Sequence, residues 1–142
     1  MMVVNATGLV RALVQKGWID DKAVEQAGTR EEPGPNGLLL ALIKSGMLDE
    51  KKVAQFAGET FGLPVLDINA VNPDALPKKL VDPQIASRYQ IIPLSQRKGK
   101  TVIAVADPTL VRVYDEIRFQ TGLSIELVIA PAQSLARFCD KF

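Results

Sequence analysis

The chain has 142 residues, 47% of them hydrophobic, a formal net charge of +1, no histidine and one cysteine. This length fits one domain or two small subdomains, and the near-zero charge gives no electrostatic reason to expect nucleic acid or an anionic membrane as the principal partner. Without histidine the commonest metal ligand and general base are missing and nothing can activate Cys139, so we expect no metal site and no thiol catalysis.

An internal repeat occupies the first part of the chain. Residues 8–26 align without gaps on residues 37–55, and 9 of the 19 aligned pairs are identical. In each copy apolar residues recur at i and i+4, which is the spacing of one face of a helix. The repeat predicts two copies of a helix, a tight turn and a second helix over residues 1–62.

Turn and capping residues mark the helix ends inside each repeat. Gly17 and Gly46 stand where a helix ends in a left-handed residue, and Asp20 and Asp49 stand where the next helix begins. The carboxylates at these helix starts complement the helix dipole, which accounts for them without a catalytic role. Residues 28–36 contain two prolines and two glycines and are predicted to be an irregular connection.

Residues 63–88 are predicted to connect the two halves. The stretch FGLPVLDI, residues 61–68, suits a short extended segment. Three prolines then limit any helix to about one turn. A short helix is expected to start at Asp82-Pro83 and to run to Tyr89.

Residues 89–142 show the alternation of a small α/β unit. The predicted order is strand, turn, strand, helix, strand, helix, over residues 90–94, 95–100, 101–106, 107–121, 124–130 and 131–142. Asp107-Pro108 is expected to open the first of these helices and Gly122 to close it. The predicted fold class is therefore α+β, an N-terminal pair of helical hairpins followed by a small three-stranded α/β subdomain.

Gly99-Lys100-Thr101 has the last three letters of a phosphate-binding P-loop. That motif needs a first glycine where Leu94 stands, and it needs a helix after the threonine, whereas Thr101 enters a predicted strand. We interpret the tripeptide as a β-hairpin turn in which Gly99 supplies a positive φ. The nearby basic residues form either a solvated face or, alternatively, a weak anion contact; they are Arg88, Arg97, Lys98 and Lys100. No catalytic constellation is predicted.

Several stretches together resemble the N-terminal region of type IV pilus assembly ATPases, the PilB-like extension motors, and of their type II secretion relatives. They are the two repeat units, then FGLPVLDI, RYQIIPL, TVIAVADPT and DEIRFQTGLSIELVIAP. The resemblance implies a regulatory domain of the MshEN type without enzymatic activity or cofactor of its own. It also implies that the hexameric ATPase core, with the true P-loop, belongs to another part of the parent protein, whose pilus drives twitching motility.

The resemblance also implies a ligand, because some members of this family bind cyclic di-GMP through two copies of a motif that begins Arg-Leu-Gly and ends in Gln. The two copies coincide with the repeat. The arginine positions hold Gly8 and Gly37, the glycine positions hold Val10 and Leu39, and the glutamine positions hold Glu31 and Thr60. A cyclic di-GMP sensor is thus the alternative function, with the retained motif positions as its candidate residues: Leu9, Leu13, Gly17, Leu38, Leu42 and Gly46.

The main functional prediction is a protein-interaction domain. The resemblance implies recruitment of a PilZ-type adaptor and contact with the inner-membrane pilus platform and with the parent's own ATPase core. Trp18 and Met47, at matching turn positions, and Phe119, opposite the apolar face of its helix, are the candidate partner contacts. Large single apolar residues are usually packed, so burial against the neighbouring subdomain is the expectation for all three. No apolar run approaches the roughly 20 residues of a membrane span, so we expect no membrane insertion and a cytoplasmic location, peripheral to the inner membrane.

Overall fold

A computed structural model describes residues 6–77 and 79–142 of the chain. Four helices form the first half, so both predicted helical hairpins are confirmed. The first five residues of the predicted helical subdomain lie outside the described residues. The helices are α1 (Gly8–Lys16), α2 (Asp21–Gly28), α3 (Gly37–Lys44) and α4 (Glu50–Phe61).

The predicted caps close these helices. Gly17 is left-handed, with φ of 87°, and its N–H reaches the carbonyl oxygens of Leu13 and Val14. The N–H of Trp18 also donates to the Leu13 oxygen, at 3.1 Å, so α1 ends in a Schellman turn. Asp20 accepts a hydrogen bond of 2.8 Å from the N–H of Ala23, and its counterpart in the second repeat caps α4 in the same way.

The connection between the halves runs through two one-turn 3-10 helices, Ile68–Ala70 and Pro73–Ala75. Before them Val65 forms the predicted extended segment, as a parallel bridge to Ile129. After them α5 (Pro83–Tyr89) has the predicted bounds, because Asp82 accepts a hydrogen bond from the N–H of Gln84 and so caps the first turn.

The sheet of the second half contains β1 (Ile92–Arg97), β2 (Lys100–Val105) and β3 (Ser124–Ile129) in the order β1-β2-β3. β1 pairs with β2 antiparallel and β2 with β3 parallel. The predicted six-residue turn between the first two strands is wrong, because only Lys98 and Gly99, with φ of 50° and 80°, turn the chain. The first strand also begins later than predicted, because Gln90, with φ of 56°, still closes α5.

This half also contains two longer helices, α6 (Val111–Thr121), which lies between β2 and β3 in the chain, and α7 (Ala132–Lys141), which packs against β2. The predicted start of α6 at Asp107-Pro108 is wrong. The Asp107 carboxylate accepts from the N–H of Thr109 two residues on, at 2.9 Å, which makes a local turn, and α6 begins only afterwards. Gly122, with φ of 70°, ends α6 as predicted.

Buried side chains from both halves belong to one hydrophobic core, because α3 and α4 pack against α7. The division into residues 1–62, 63–88 and 89–142 stays a prediction. The largest fully buried side chains are Leu9, Leu13, Leu42, Ile68, Ile91, Ile92, Ile103, Ile117, Ile129 and Leu135. Among the described residues, no helix combines the length and apolar character needed to cross a membrane.

Candidate functional site

The three large apolar residues singled out in the sequence are exposed, so their predicted burial is wrong. Met47 is 50% exposed and Phe119 is 88% exposed. Trp18 is 40% exposed, because one side of its ring packs against Phe56 with ring centroids 5.2 Å apart. The cause is local: Trp18 and Met47 each follow a left-handed glycine at a turn tip, and Phe119 lies on the outer face of α6.

The two turns meet at one surface groove. One cavity, of about 400 Å³, is lined by Lys16, Trp18, Lys52, Gln55, Phe56, Glu59 and Thr60. A second, of about 490 Å³, is lined by Trp18, Gly46, Met47, Leu48, Asp49 and Lys52. Since Trp18 and Lys52 line both cavities, we treat them together as the Trp18 groove. Phe119 lines neither of them, so the structure brings together two of the three candidate contacts.

The charged residues of the groove differ in whether they contact other polar groups of the chain. The Asp49 carboxylate accepts from the N–H of Lys52, at 3.0 Å, and so is used as a helix cap. The Glu59 carboxylate lies 3.4 Å from the side-chain amide of Gln55. Lys16 and Lys52, in contrast, form no ion pair with any described residue. The groove therefore carries two ammonium groups without ion pairs among the described residues and two carboxylates that keep their charge, beside exposed apolar surface.

The retained positions of the cyclic di-GMP motif are placed as parts of the fold. Their leucines, four in number, are buried in the helical core, and their glycines form the two left-handed turns; the residues are Leu9, Leu13, Leu38, Leu42, Gly17 and Gly46. Of these six only Gly46 lines the Trp18 groove. Packing and turn geometry thus explain why these residue types occur at these positions.

The two glycines at the arginine positions of that motif are closely packed. A Cβ atom on Gly8 would lie 2.9 Å from the Cβ of Thr109. A Cβ atom on Gly37 would overlap the backbone oxygen of Glu32, which cannot rotate away as a side chain can. Any side chain at either position, arginine included, therefore requires the neighbouring segment to move.

The GKT tripeptide lies in the hairpin as predicted. Thr101 is fully buried in β2, and its Oγ1 has no hydrogen-bond partner among the described residues. Lys100 pairs with Glu126 at 3.2 Å, both at the surface. A shallow cavity of about 470 Å³ lies beside them, lined by Ser95, Arg97, Lys98, Lys100, Val102 and Glu126, so Arg88 is not part of it. A buried hydroxyl cannot reach the metal ion that a P-loop threonine holds.

A buried polar cluster joins the two halves, and sequence reasoning did not predict it. The N–H of Leu9, in the first turn of α1, donates to Thr109 Oγ1 at 3.1 Å. The Thr109 hydroxyl in turn donates to the buried Asp107 carboxylate, and the Tyr114 hydroxyl donates to the Asp107 backbone oxygen. Burial, together with the Asp107 charge, raises the pKa of Tyr114, so this phenol stays a neutral donor.

A second connection runs in the opposite direction, from the helical half to α7. Both oxygens of the Glu50 carboxylate are engaged by Ser134, at 2.9 Å from its N–H and 3.1 Å from its hydroxyl. Glu50 thus satisfies a free N–H in the first turn of α7 across 84 residues of sequence. The sequence had suggested only a local role, complementing the helix dipole, for carboxylates at helix starts.

Cys139 is buried on the inner face of α7, with its thiol 3.8 Å from the Ile91 oxygen. Burial, with a smaller contribution from the Asp140 charge, raises the pKa of this thiol to about 12. A thiol held neutral in this way is a poor nucleophile. Among the described residues no cluster of three or more cysteines and carboxylates could hold a metal ion.

Comparison with known proteins gives the chain a family context. The MshEN domain profile matches residues 61–142. The chain is 25% identical over 138 residues to the type IV pilus assembly ATPase PilB of Pseudomonas aeruginosa, covering 97% of this chain and 24% of that protein. It is 27% identical over 135 residues to PilB of Acinetobacter baylyi, covering 95% and 23%. The chain therefore spans about a quarter of the length of the curated relatives it matches.

Two solved structures share the fold. The N-terminal domain of XpsE superposes with a TM-score of 0.71 at 25% identity, covering 94% of this chain and 92% of that one. MshE, solved with cdg (cyclic di-GMP), superposes with a TM-score of 0.63 at 26% identity, covering 96% and 99%. Both likenesses extend over the helical half as well as over residues 61–142.

Proposed function

The chain belongs to the MshEN domain family, and from that premise we propose that it is a non-catalytic regulatory domain of a type IV pilus extension motor ATPase. In this proposal it recruits a PilZ-type adaptor and couples signals to pilus polymerisation, and it needs no cofactor of its own. It works in the cytoplasm, beside the inner-membrane pilus platform and the ATPase core of its parent protein.

The observation that carries the proposal is the Trp18 groove. An exposed tryptophan and methionine that line the same groove form the kind of anchor surface that protein interfaces use. The reactive groups that catalysis would need are not accessible: Thr101 is buried away from any ligand, and the Cys139 thiol is buried and neutral. A protein-interaction role needs exposed apolar residues, which this surface has, whereas hydrolysis needs accessible reactive groups.

Calorimetry with a purified PilZ-type adaptor tests the proposal. We expect saturable binding of the 142-residue chain and no ATP turnover by the chain alone. A titration without heat of binding, at concentrations well above the dissociation constants of typical transient complexes, would refute adaptor recruitment. ATP turnover that disappears in the Lys100→Ala variant would instead restore the hairpin as a nucleotide site.

A cyclic di-GMP sensor is the second candidate, favoured by the likeness to MshE solved with that ligand. The packing of Gly8 and Gly37 weighs against it, because these positions cannot carry the arginines that match phosphate groups without displacing Thr109 or the Glu32 backbone. We expect no change in the melting temperature of the chain with cyclic di-GMP at high micromolar concentration. A saturable rise in melting temperature would favour the sensor.

A further inference from the structure

We propose that the open face of the β1–β2 hairpin binds a phosphate group, a role separate from adaptor recruitment. The site is the cavity of about 470 Å³ beside the turn, which we call the hairpin cavity; it is lined by Ser95, Arg97, Lys98, Lys100, Val102 and Glu126. None of these residues lines the Trp18 groove, so the two surfaces can be tested independently.

The strand register places the side chains of the hairpin cavity on one face of the sheet. Arg97 of β1 pairs directly with Lys100 of β2. Two residues further along the strands, Ser95 pairs with Val102, which in turn pairs with Glu126 of β3. Residues two apart in a strand point to the same side of the sheet. All five are exposed or half-buried, so this face is accessible to a ligand.

The hairpin cavity is positively charged even when its carboxylate is counted in full. Arg97, Lys98 and Lys100 carry three positive charges and Glu126 carries one negative charge, which leaves a net charge of +2. Lys100 pairs with Glu126 at 3.2 Å, whereas Arg97 and Lys98 form no ion pair with any residue that the structure describes. The Trp18 groove, with two lysines and two carboxylates, has no such excess of charge.

The pairing of Arg97 with Lys100 weakens the hairpin unless an anion lies between them. Directly opposite side chains stand about 4.5–5.5 Å apart at their Cβ atoms, and like charges at these positions destabilise the strand pair. The next residue, Lys98, has a left-handed φ of 50°, which is uncommon for a residue other than glycine. Departures of this kind from the locally favoured residue types are expected at functional sites. A bound anion would offset the repulsion.

Charge and hydrogen-bond donors together favour phosphate. A phosphomonoester carries about −1.5 to −2 charges at neutral pH on one compact group, which matches the net charge of the hairpin cavity. The Arg97 guanidinium offers a fork of N–H donors that fits phosphate oxygens, and the lysines add ammonium donors. The Ser95 hydroxyl has no hydrogen-bond partner among the described residues and is a further donor. Such a site uses side chains alone and differs from a P-loop, since Thr101 is buried.

The backbone amides of Lys98 and Gly99 lie in the turn, so their resonances in two-dimensional NMR of the isotope-labelled chain report on the site. Inorganic phosphate is the probe. Succinate at equal ionic strength is the matched control, because its two charges lie on separate carboxylates. We expect saturable shifts of these resonances with phosphate and only small, non-saturating shifts with succinate. Equal saturable shifts with both anions would overturn the assignment to phosphate.

Vesicles distinguish a lipid headgroup from a soluble phosphate-bearing ligand. Cosedimentation of the chain with phosphatidylglycerol vesicles but not with phosphatidylcholine vesicles, lost in the double variant Arg97→Gln/Lys98→Gln, would assign the phosphate to a lipid headgroup. Saturation by inorganic phosphate without vesicle binding would assign it to a soluble ligand. If the chain neither saturates with phosphate nor binds phosphatidylglycerol vesicles, the hairpin is only a solvated basic turn and the proposal is overturned.

Surface variants with opposite expected effects sharpen the test for whichever phosphate source binds. Arg97→Gln/Lys98→Gln should lose about tenfold or more in affinity, because it removes two charged donors. Glu126→Gln should gain about two- to fivefold, because it removes the carboxylate of the cavity. Lys22→Gln, at an exposed lysine of α2, is the control and should change nothing. Unchanged affinity in the double variant, or weaker binding by Glu126→Gln, would overturn the proposal.

Thermal melts check that Arg97 is not needed for folding. Arg97→Gln removes one member of the like-charge pair, so in the absence of phosphate its melting temperature should equal or exceed that of the native chain. A lower melting temperature would show that Arg97 stabilises the hairpin itself, and the argument from repulsion would then be wrong.

Discussion

Replacing Gly37 by alanine should destabilise the chain, although alanine is the better helix former. The new Cβ would overlap the backbone oxygen of Glu32, so the 32–36 loop must move away from α3. That movement breaks the 3.3 Å hydrogen bond from the Glu32 N–H to the Gly37 oxygen and disturbs the ion pair between Glu32 and Lys44.

The net cost follows from three contributions. Overpacking of a closed site costs about 1–3 kcal/mol and the lost hydrogen bond about 1 kcal/mol, while alanine returns up to about 1 kcal/mol of helix propensity. With the full helix-propensity gain, the sum is a loss of about 1–3 kcal/mol. For a chain of this length the entropy of unfolding is about 0.3 kcal/mol/K, so the melting temperature should fall by about 3–10 °C.

Thermal melts followed by circular dichroism, with urea titrations beside them, measure the effect. Gly28→Ala is the matched control: Gly28 lies at the end of α2, and a Cβ there meets no atom within 4 Å. This control should raise the melting temperature by about 2–3 °C, from about 0.5–1 kcal/mol of propensity.

A Gly37→Ala variant that melts within about 2 °C of the native chain would refute this reasoning, since the overlap would then be relieved at no cost. Gly37→Arg should be destabilised at least as much, and it should gain no thermal stabilisation from cyclic di-GMP. A stable arginine variant that binds the nucleotide would show that the glycine is a lost ligand residue and not a packing requirement.

Three further predictions concern buried polar groups. Thr101→Val should stabilise the chain by about 1 kcal/mol in urea unfolding, because it replaces an unpaired buried hydroxyl by a methyl of similar shape; a loss of stability would reveal a partner for the hydroxyl. Glu50→Ala should cost about 2 kcal/mol, because it strips the N–H and hydroxyl of Ser134 of their acceptors, and equal stability of variant and native chain would contradict that role. Cys139 should resist alkylation at pH 8 until the chain unfolds. The pKa of the folded Cys139 thiol, about 12, lies above the ordinary value. The stability linked to this neutral thiol is therefore complete below about pH 9 and is lost as pH rises toward 12. Cys139→Ala should reduce this pH dependence of the free energy of unfolding.

Much of the local structure could be predicted because its causes lie within a few residues of one another. The left-handed glycine after α1 and the aspartate cap of α2 fall inside one repeat, and both helical hairpins were confirmed with their turns. The exception is instructive. Asp107-Pro108 has the pattern of a helix start, but the Asp107 carboxylate accepts from the N–H of Thr109. The Thr109 hydroxyl in turn accepts from the N–H of Leu9 in the first turn of α1.

The candidate site could be predicted only in part. The repeat placed Trp18 and Met47 at equivalent turns, but nothing in the spacing indicated that the two turns meet at one groove or that their side chains stay exposed. Sequence likewise placed Phe119 on an outer helix face, and only the structure separated it from the other two. Gly8 and Gly37 gave no local sign of the close packing that excludes a side chain.

The sequence by itself determined the helical hairpins, the β-hairpin and the rejection of a P-loop, because hydrophobic period, caps and turn residues act over short stretches of chain. Tertiary structure alone decided how the halves join: Thr109 accepts from the first turn of α1 across 100 residues, and Glu50 accepts from the first turn of α7 across 84. It also placed Lys16 and Lys52 beside Trp18 without an ion pair to any residue that the structure describes. Contacts between residues so far apart depend on the packing of the whole chain, and no local pattern encodes them.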